Sequence, residues 1–222
     1  MGPRGRREVS SWVFAGGDPP DAAVLHDLPR ADLVIAADSG LEHAQRLGVT
    51  VDLLVGDLDS VGADALEAAV AAGVDVEQHP TAKDATDLEL ALDAAIQRGA
   101  GSALVVGGHG GRLDHLLANA LLCASPRFAT LRIEARMGDA RVAVIHDHAD
   151  IDGAPGSLCS LLPVGGPADG VTTTGLRFPL HGETLEPGST RGVSNEFLGS
   201  TAAVSLQGGV LLAVVPNVRK VS

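Results

Sequence analysis

The amino-acid sequence predicts an α/β domain built on a parallel sheet, followed by a small antiparallel β domain. From Ser11 to about Ala135, short β-branched runs alternate with helical stretches rich in Ala and Leu, which is typical of a parallel sheet with helices on both faces. After about Asp147 the helical periodicity disappears, and Gly, Pro and Thr separate short apolar runs, as in antiparallel β domains. The chain has 222 residues, 45% of them hydrophobic, which is enough for two such domains. We place them at residues 1–149 and 150–222.

Apolar runs and periodicity predict six strands and two helices in the first domain. The strands are the apolar runs Trp12–Ala15, Leu33–Ala37, Leu53–Val55, Val74–Glu77, Ala103–Val106 and Thr130–Ile133. The helices cover Ala63–Ala72 and Leu88–Arg98, and in the second of them Leu88, Leu92 and Ile96 fall on one face.

Capping signals mark two helix starts. Glu42 follows Ser39 by three residues, and Glu89 follows Thr86 by the same interval. This is the spacing at which a Ser or Thr side chain caps a helix while the Glu side chain bonds back to it. We therefore predict helices that begin just after Ser39 and just after Thr86.

The second domain is predicted to contain four strands. They are Leu158–Leu162, Val171–Thr174, Thr201–Leu206 and Val210–Val215. Gly208 and Gly209 separate the last two runs, which predicts a hairpin there. The segment Asp150–Gly156 is the expected linker between the domains.

The charge balance excludes several classes of protein. The chain has 28 acidic and 16 basic residues and a formal net charge of −12, a field that repels nucleic acid and anionic membranes. The apolar runs are too short for a transmembrane helix or for a signal-peptide core. Cys123 and Cys159 have neither metal-ligand nor disulfide spacing. We expect buried, reduced thiols in a cytoplasmic protein.

Acidic residues collect where the predicted strands end. Asp38 follows the second strand, Asp57 and Asp59 follow the third, and Asp84 and Asp87 follow the fourth. A parallel sheet brings these loops to one edge. In an extended segment, Asp57 and Asp59 point the same way and repel each other unless a cation lies between them. Mg²⁺ suits such carboxylates together with substrate phosphates. The alternative is a set of turn and helix-capping aspartates.

Two further features at this edge suit phosphate. The loop Gly107–Gly111 has four glycines in five residues, so its amides can approach an anion closely. Lys83 is one of only two lysines in the chain, and it is suited to phosphate or, alternatively, to a surface pair with Asp84. Arg112, Asp114 and His115 follow the glycines. They strengthen the signal, although Asp114 alone is also a common helix cap and His115 alone a common structural histidine.

The few aromatic residues indicate a second site. Phe178 and Phe197 lie in the β-rich part beside polar or turn-forming neighbours, Phe197 just after Ser194 and Asn195. A planar heteroaromatic substrate could stack on such a ring. The alternative is an ordinary β-domain core.

Taken together, these segments resemble the thiamine pyrophosphokinase family. The resemblance covers nearly the whole chain, and six matching segments in register make it specific. They are Ala36–Gly40, Val55–Ser60, Lys83–Glu89, Gly107–His115 with Asn119, Thr174–Leu180 and Ser194–Glu196.

The resemblance implies a three-layer α/β domain, a C-terminal β-sandwich, a homodimer and a reaction. In this family ATP gives its terminal pyrophosphoryl unit to the thiamine hydroxyl, and AMP leaves. Asp38, Asp57, Asp59, Lys83, Asp84 and Asp87 would then be catalytic, with Mg²⁺ on Asp57, Asp59 and Asp84. Nucleotide and phosphate would contact Gly107, Gly108, Gly110, Gly111, Arg112, Asp114 and His115. Thiamine would contact Phe178, Ser194 and Asn195.

Some questions stay open at this point. Asp38 or Asp87 could orient or deprotonate the hydroxyl. Many relatives carry a larger aromatic, often Trp, where this chain has Phe178. The competing functions are a pyrophosphokinase for another heteroaromatic alcohol, such as a hydroxymethyl pterin, and a non-catalytic nucleotide-binding protein.

Overall fold

The computed structural model describes residues 8–25, 28, 30–82 and 84–216. The chain divides into two compact units. The first takes in the residues up to 119 together with 130–133, and the second takes in 120–129 and the residues from 134 onward. In the described residues, no helix is both long and apolar enough to cross a membrane. The predicted boundary between residues 149 and 150 stays a prediction.

The first unit is built on five parallel strands that run in the order β5-β1-β2-β3-β4. Three helices belong to it, and a fourth, α4, begins in it. The strands are β1 (Val9–Phe14), β2 (Leu33–Ala37), β3 (Leu53–Gly56), β4 (Asp75–Gln78) and β5 (Ala100–Val106). The helices are α1 (Gly40–Arg46), α2 (Ala63–Ala71), α3 (Asp87–Gln97) and α4 (Leu113–Cys123), with a 3₁₀ turn at Ala22–Leu25.

Alternate strand residues place helices on both faces of this sheet. Phe14, Ala36 and Leu54 form one buried cluster with residues of α1 and α2, such as Leu41 and Ala69. The intervening strand residues are equally buried, and α3 contacts β1, β2, β3 and β5. Successive side chains of a strand point to opposite faces, so α3 covers the other face. The predicted three-layer arrangement is confirmed.

Of the two predicted capping boxes, only one has its cap. The hydroxyl of Thr86 accepts a hydrogen bond from the backbone N–H of Glu89 at 3.3 Å. Ser39 also precedes a helix, but its side chain makes no capping bond. Its backbone is already helical, with φ −60° and ψ −8°, whereas a capping residue needs an extended backbone. The prediction at Ser39 was therefore right about the helix and wrong about the cap.

The second unit is a sandwich of two antiparallel sheets. The sheets have the strand orders β12-β9-β14-β7-β6 and β11-β10-β13-β8. Their strands are β6 (Arg132–Met137), whose first two residues belong to the first unit, β7 (Ala140–Ile145), β8 (His148–Asp152), β9 (Leu158–Pro163), β10 (Ala168–Thr174), β11 (His181–Leu185), β12 (Asn195–Glu196), β13 (Thr201–Ser205) and β14 (Leu211–Val215). Buried residues of both sheets form one cluster between them, which confirms the β-sandwich.

The hairpin predicted at Gly208 and Gly209 is wrong. Strands β13 and β14 lie in different sheets, β13 beside β8 and β10, and β14 beside β7 and β9. Val204 and Ala213 both belong to the central cluster, so the two strands contribute to it from opposite sides. Gly208 instead accepts a hydrogen bond from the backbone N–H of Asp169 at 2.9 Å. The predicted linker is also partly wrong, because residues 150–152 belong to β8 and pair with β13.

Candidate active site

A cleft of about 610 Å³ opens at the carboxyl ends of the parallel strands. It is lined by residues that follow β1, β2, β3 and β5, together with the first turns of α3 and α4. Strands β2 and β5 lie on opposite sides of β1. The chain therefore extends the sheet from β1 in both directions, and β1 marks the point where the strand order reverses. In open α/β sheets, this switch point is where ligands bind.

Asp38, directly after β2, is a strained and buried carboxylate. Its φ is 48°, which is uncommon for a residue other than glycine, and the residue is only 8% exposed. Burial raises the pKa of Asp38, and the charges of Asp87 and Asp57 raise it further against hydrogen bonds from Ser39 and Ser60. Among the described residues, the Oδ1 atom of Asp38 has no hydrogen-bond partner. A buried anionic oxygen without a donor is a position suited to a cation.

Asp38, Asp57 and Asp59 form an acidic cluster. One carboxylate oxygen from each lies within 4.8 Å of the others. Asp57 and Asp59 lie close together as the sequence predicts, but the backbone between them is not extended as predicted. Leu58 between them has a φ of 67°, so the two carboxylates meet through a turn. Leu58 packs against the core of the unit, which anchors that turn.

The other two predicted aspartates lie in different places. Asp87 is the first residue of α3 and lines the cleft. A Cβ added at Gly56 would lie 3.1 Å from both the Oδ1 atom of Asp87 and the Cβ atom of Asp38, so only glycine fits there comfortably. Asp84 is exposed in the loop before α3 and is not part of the acidic cluster. Lys83 lies outside the described residues.

The glycine loop is joined to the loop that follows β1. Gly107, Gly108, Gly110 and Gly111 all have positive φ, between 59° and 96°. The N–H of Gly108 donates to the carbonyl of Gly16 at 2.8 Å. A Cβ on Gly107 would lie 2.5 Å from the carbonyl of Ala15. The glycines therefore permit a backbone contact that forms one wall of the cleft.

Arg112 and polar groups of α4, which begins at the next residue, border this loop. Arg112 and His115 line the cleft. Asp114, predicted beside them, is exposed and forms an ion pair with Arg112 at 2.6 Å, which lowers the pKa of Asp114 and raises that of Arg112. Asn119 donates from Nδ2 to the carbonyl of Gly108 at 3.0 Å and so ties α4 to the loop.

Sequence reasoning missed two residues that line the cleft and a third, His43, that bonds to a residue of its lining. Gly17 and Asp18 line it, and the N–H of Asp18 donates to the carbonyl of His109 at 2.7 Å. His43 on α1 is buried, and its Nδ1 donates to the carbonyl of Ala15 at 2.9 Å. The Gly-Gly-Asp run after β1 is a signal that could have been noticed. Nothing in the sequence marks His43, because its role depends on packing between α1 and β1.

The predicted substrate residues of the sandwich lie together within the second unit. Phe178 is 53% exposed, whereas Asn195 is 5% exposed. The N–H of Phe178 donates to Oδ1 of Asn195 at 2.9 Å. Ser194 has a φ of 58°, a strained conformation next to this contact. Phe197, the other aromatic residue considered, is 1% exposed and belongs to the core.

Comparisons with known proteins match both units. The family model described as "Thiamin pyrophosphokinase, catalytic domain" matches residues 25–135. The one described as "Thiamin pyrophosphokinase, vitamin B1 binding domain" matches residues 145–211.

Individual relatives have moderate sequence identity. A thiamine pyrophosphokinase of Bacillus subtilis is 27% identical over 184 residues, which cover 82% of this chain and 86% of the relative. Thiamine pyrophosphokinase 1 of rice is 29% identical over 164 residues, 68% of this chain, and the match spans only 60% of the rice protein. A crystal structure of thiamine pyrophosphokinase from Bacillus subtilis superposes with a TM-score of 0.82 at 25% identity, covering 95% of this chain and 100% of that one.

Proposed function

The chain belongs to the thiamin pyrophosphokinase family, and from this premise we propose that it transfers pyrophosphate from ATP to the hydroxyl of thiamine. The products are thiamine diphosphate and AMP. One observation carries the proposal: Asp38 and Asp59 of the acidic cluster line the same cleft of about 610 Å³ as the glycine loop. A new bond forms between the hydroxyl oxygen and the β-phosphorus of ATP, and the bond from the β-phosphorus to the oxygen bridging it to the α-phosphorus breaks.

Asp38, Asp57 and Asp59 fit a magnesium site. They supply hard oxygen ligands, and Oδ1 of Asp38 is buried and unpartnered among the described residues. A bound Mg²⁺ supplies charge neutralisation on the phosphates. This ligand set differs from the sequence-based one in that Asp38 stands where Asp84 was expected. Asp84 remains a predicted further ligand.

The glycine loop and its neighbours are proposed to hold the nucleotide phosphates. Positive-φ glycines free the loop amides to approach an anion, and Arg112 and His115 line the same cleft. Lys83, Asp114 and the remaining loop glycines complete the predicted set. Most of the acceleration comes from position and electrostatics rather than from covalent chemistry.

Asp87 is proposed to orient the attacking hydroxyl. It lines the cleft from the start of α3 but does not belong to the acidic cluster. Asp38, the alternative, belongs to that cluster and is better suited to the metal. A carboxylate within reach of the hydroxyl can also accept its proton as the new bond forms.

Thiamine is proposed to stack on Phe178. Phe178 is 53% exposed on the sandwich, and an exposed aromatic residue suits a planar heteroaromatic ring. Ser194, which is adjacent to Asn195, belongs with Phe178 and Asn195 to the residues predicted to contact thiamine. Phe178 offers a smaller face than a Trp, so we expect weaker stacking than a Trp would provide.

We also propose a homodimer. Leu113, Leu117 and Leu121 form one exposed stripe on α4, with exposed fractions of 69%, 54% and 55%. Positions four apart share a face of a helix, and residues 115–126 include no Asp, Glu, Lys or Arg. For a chain with a net charge of −12, an uncharged apolar stripe is a surface on which a second copy meets little electrostatic repulsion.

A cytoplasmic location is proposed from the cysteines. Cys123 and Cys159 are both buried as free thiols. Burial raises the pKa of Cys123 to about 12 and that of Cys159 to about 11. Such thiols are protonated at neutral pH and suit a reducing compartment.

Release of AMP from ATP with alternative acceptors tests the proposed function. Thiamine and a hydroxymethyl pterin are assayed side by side with Mg²⁺. AMP formation that depends on thiamine supports the proposal. AMP formation with the pterin alone would make the protein a pyrophosphokinase for another alcohol. Tight ATP binding without AMP from any acceptor would indicate a non-catalytic nucleotide-binding protein.

A further inference from the structure

The side-chain amide of Asn195 holds both main-chain polar groups of Phe178. Its Oδ1 accepts from the N–H of Phe178 at 2.9 Å, and its Nδ2 donates to the carbonyl of Phe178 at 2.7 Å. Directly opposed residues of an antiparallel ladder exchange the same pair of bonds. The Asn195 amide therefore takes the place of a peptide group beside Phe178.

This contact continues a short stretch of pairing. Leu176 forms an isolated β-bridge with Phe197, and the N–H of Arg177 donates to the carbonyl of Glu196 at 2.9 Å. The next pair along the two segments is Phe178 with Asn195, where the side chain replaces the main chain. Phe178 is followed by a proline, which has no N–H with which to pair further. Phe178 is thus the last residue of its segment that can pair in this ladder, and Asn195 holds it there.

The side-chain amide of Asn195 has one Nδ2 hydrogen left beyond its bond to Phe178, and its oxygen has no capacity left for a ligand. Its Oδ1 also accepts from the N–H of Glu196 at 2.9 Å, so both of its lone pairs have donors. The residue is 5% exposed, whereas Phe178 is 53% exposed. Asn195 is therefore buried, whereas Phe178 is accessible to a ligand.

We infer that Asn195 is a positioning residue, which sets the Phe178 ring as a stacking surface for the thiamine ring and does not bind thiamine itself. The inference rests on the proposed function, since it concerns the acceptor side of that reaction. Without the amide clamp the Phe178 backbone can move, and a ring must be ordered before it can stack. The free energy spent on that ordering weakens binding.

A double-mutant cycle on the full-length protein tests this inference. Asn195→Ala is expected to raise the KM for thiamine about tenfold, with kcat and the KM for ATP changed by less than about twofold. In the Phe178→Ala background, the same Asn195→Ala change is expected to alter the KM for thiamine by less than about twofold. Fully additive effects in the two backgrounds would overturn the inference, because they would mean that Asn195 contacts thiamine independently.

Asn195→Asp provides a second variant of nearly the same shape if the alanine variant does not fold. The aspartate keeps an acceptor for the Phe178 N–H but cannot donate to its carbonyl. The same non-additivity with Phe178→Ala is expected.

Thr173→Val is the matched control for a loss of stability. Thr173 is buried, and its hydroxyl accepts from the N–H of Leu180 at 2.9 Å, two residues beyond Phe178. This variant is expected to lower the melting temperature while leaving the KM for thiamine within about twofold of the wild type. A tenfold rise in that control would overturn the inference, since any loosened side chain–backbone bond would then have the same effect.

Failure of the proposed function has a different signature. If the wild-type protein makes no AMP from ATP and thiamine, the function fails whatever Asn195 does. If the wild type is active and the cycle is additive, only the role of Asn195 fails.

Discussion

Asp38 combines backbone strain, burial and an unpartnered oxygen in one residue of the cleft. Strain of this kind persists only where the surrounding structure enforces it, and it concentrates at functional sites. The sequence was sufficient to select Asp38, because it follows a buried strand. It could not show that Asp38 would join Asp57 and Asp59 in one acidic cluster, since that depends on the left-handed backbone at Asp38 and Leu58.

The raised pKa of Asp38 predicts a stability change with pH in the metal-free protein. Because burial raises the folded-state pKa above the ordinary value of 3.8, the folded state binds the proton more tightly than the unfolded chain. The contribution of Asp38 to stability is full below pH 3.8 and is lost as the pH rises through the folded-state pKa.

Asp38→Asn is therefore expected to be more stable than the wild type at about pH 7 without metal, with the difference shrinking toward about pH 4. Asparagine also tolerates the φ of 48°. Urea unfolding of the wild type and the variant at both pH values measures this difference in stability. A constant difference between the two proteins at all pH values would contradict the assignment.

Asp57→Asn and Asp59→Asn are expected to lower turnover by about 100-fold or more while the fold stays intact. Each change removes one ligand of the proposed magnesium site. Mg²⁺ should raise the melting temperature of the wild type and have less effect on either variant. Near-normal turnover in both variants would remove the metal assignment.

At the scale of single elements, the two Ser/Thr residues before helices should behave differently. Thr86→Ala removes a capping bond to Glu89 and should lower the free energy of unfolding by about 1 kcal/mol. Ser39→Ala removes no capping bond, so its cost should be about half of that or less. Chemical denaturation of both variants measures the difference. Equal losses would show that the distinction between the two caps is wrong.

The elements also show which sequence signals are sufficient. Apolar runs and periodicity located β2 at its observed bounds and placed α2 and α3 to within a residue at each end. They could not show how β13 and β14 pair, because alternation in a strand indicates which face is buried and not which strand lies beside it. The sequence could not show how the loop after β1 packs, since its contacts, such as that of Asp18 with His109, join residues far apart in sequence.

At the scale of the whole molecule, the negative charge is concentrated in the N-terminal part of the chain. Residues 1–124 contain 19 of the 28 acidic residues and 8 of the 16 basic ones. The net charge of this part is therefore 8 − 19 = −11, out of −12 for the chain. Part of this charge forms the acidic cluster, which suits a nucleotide that arrives with its cation.

The proposed dimer predicts an effect of charge on the α4 stripe. Leu117→Arg places a charge in the middle of the stripe and should convert the dimer to a monomer, measured by light scattering coupled to size exclusion. Val70→Arg is the matched control, because Val70 is similarly exposed, at 56%, on a different helix, α2. It should leave the oligomeric state unchanged. A Leu117→Arg protein that remains dimeric would exclude α4 from the interface.

Identification of both products by mass tests the central claim most directly. The protein is incubated with ATP, Mg²⁺ and thiamine, and the nucleotide and thiamine products are quantified by mass spectrometry. Transfer of a pyrophosphoryl unit predicts AMP and thiamine diphosphate in equal amounts, with no thiamine monophosphate accumulating. ADP with thiamine monophosphate, or ATP left unchanged in the presence of thiamine, would contradict the account.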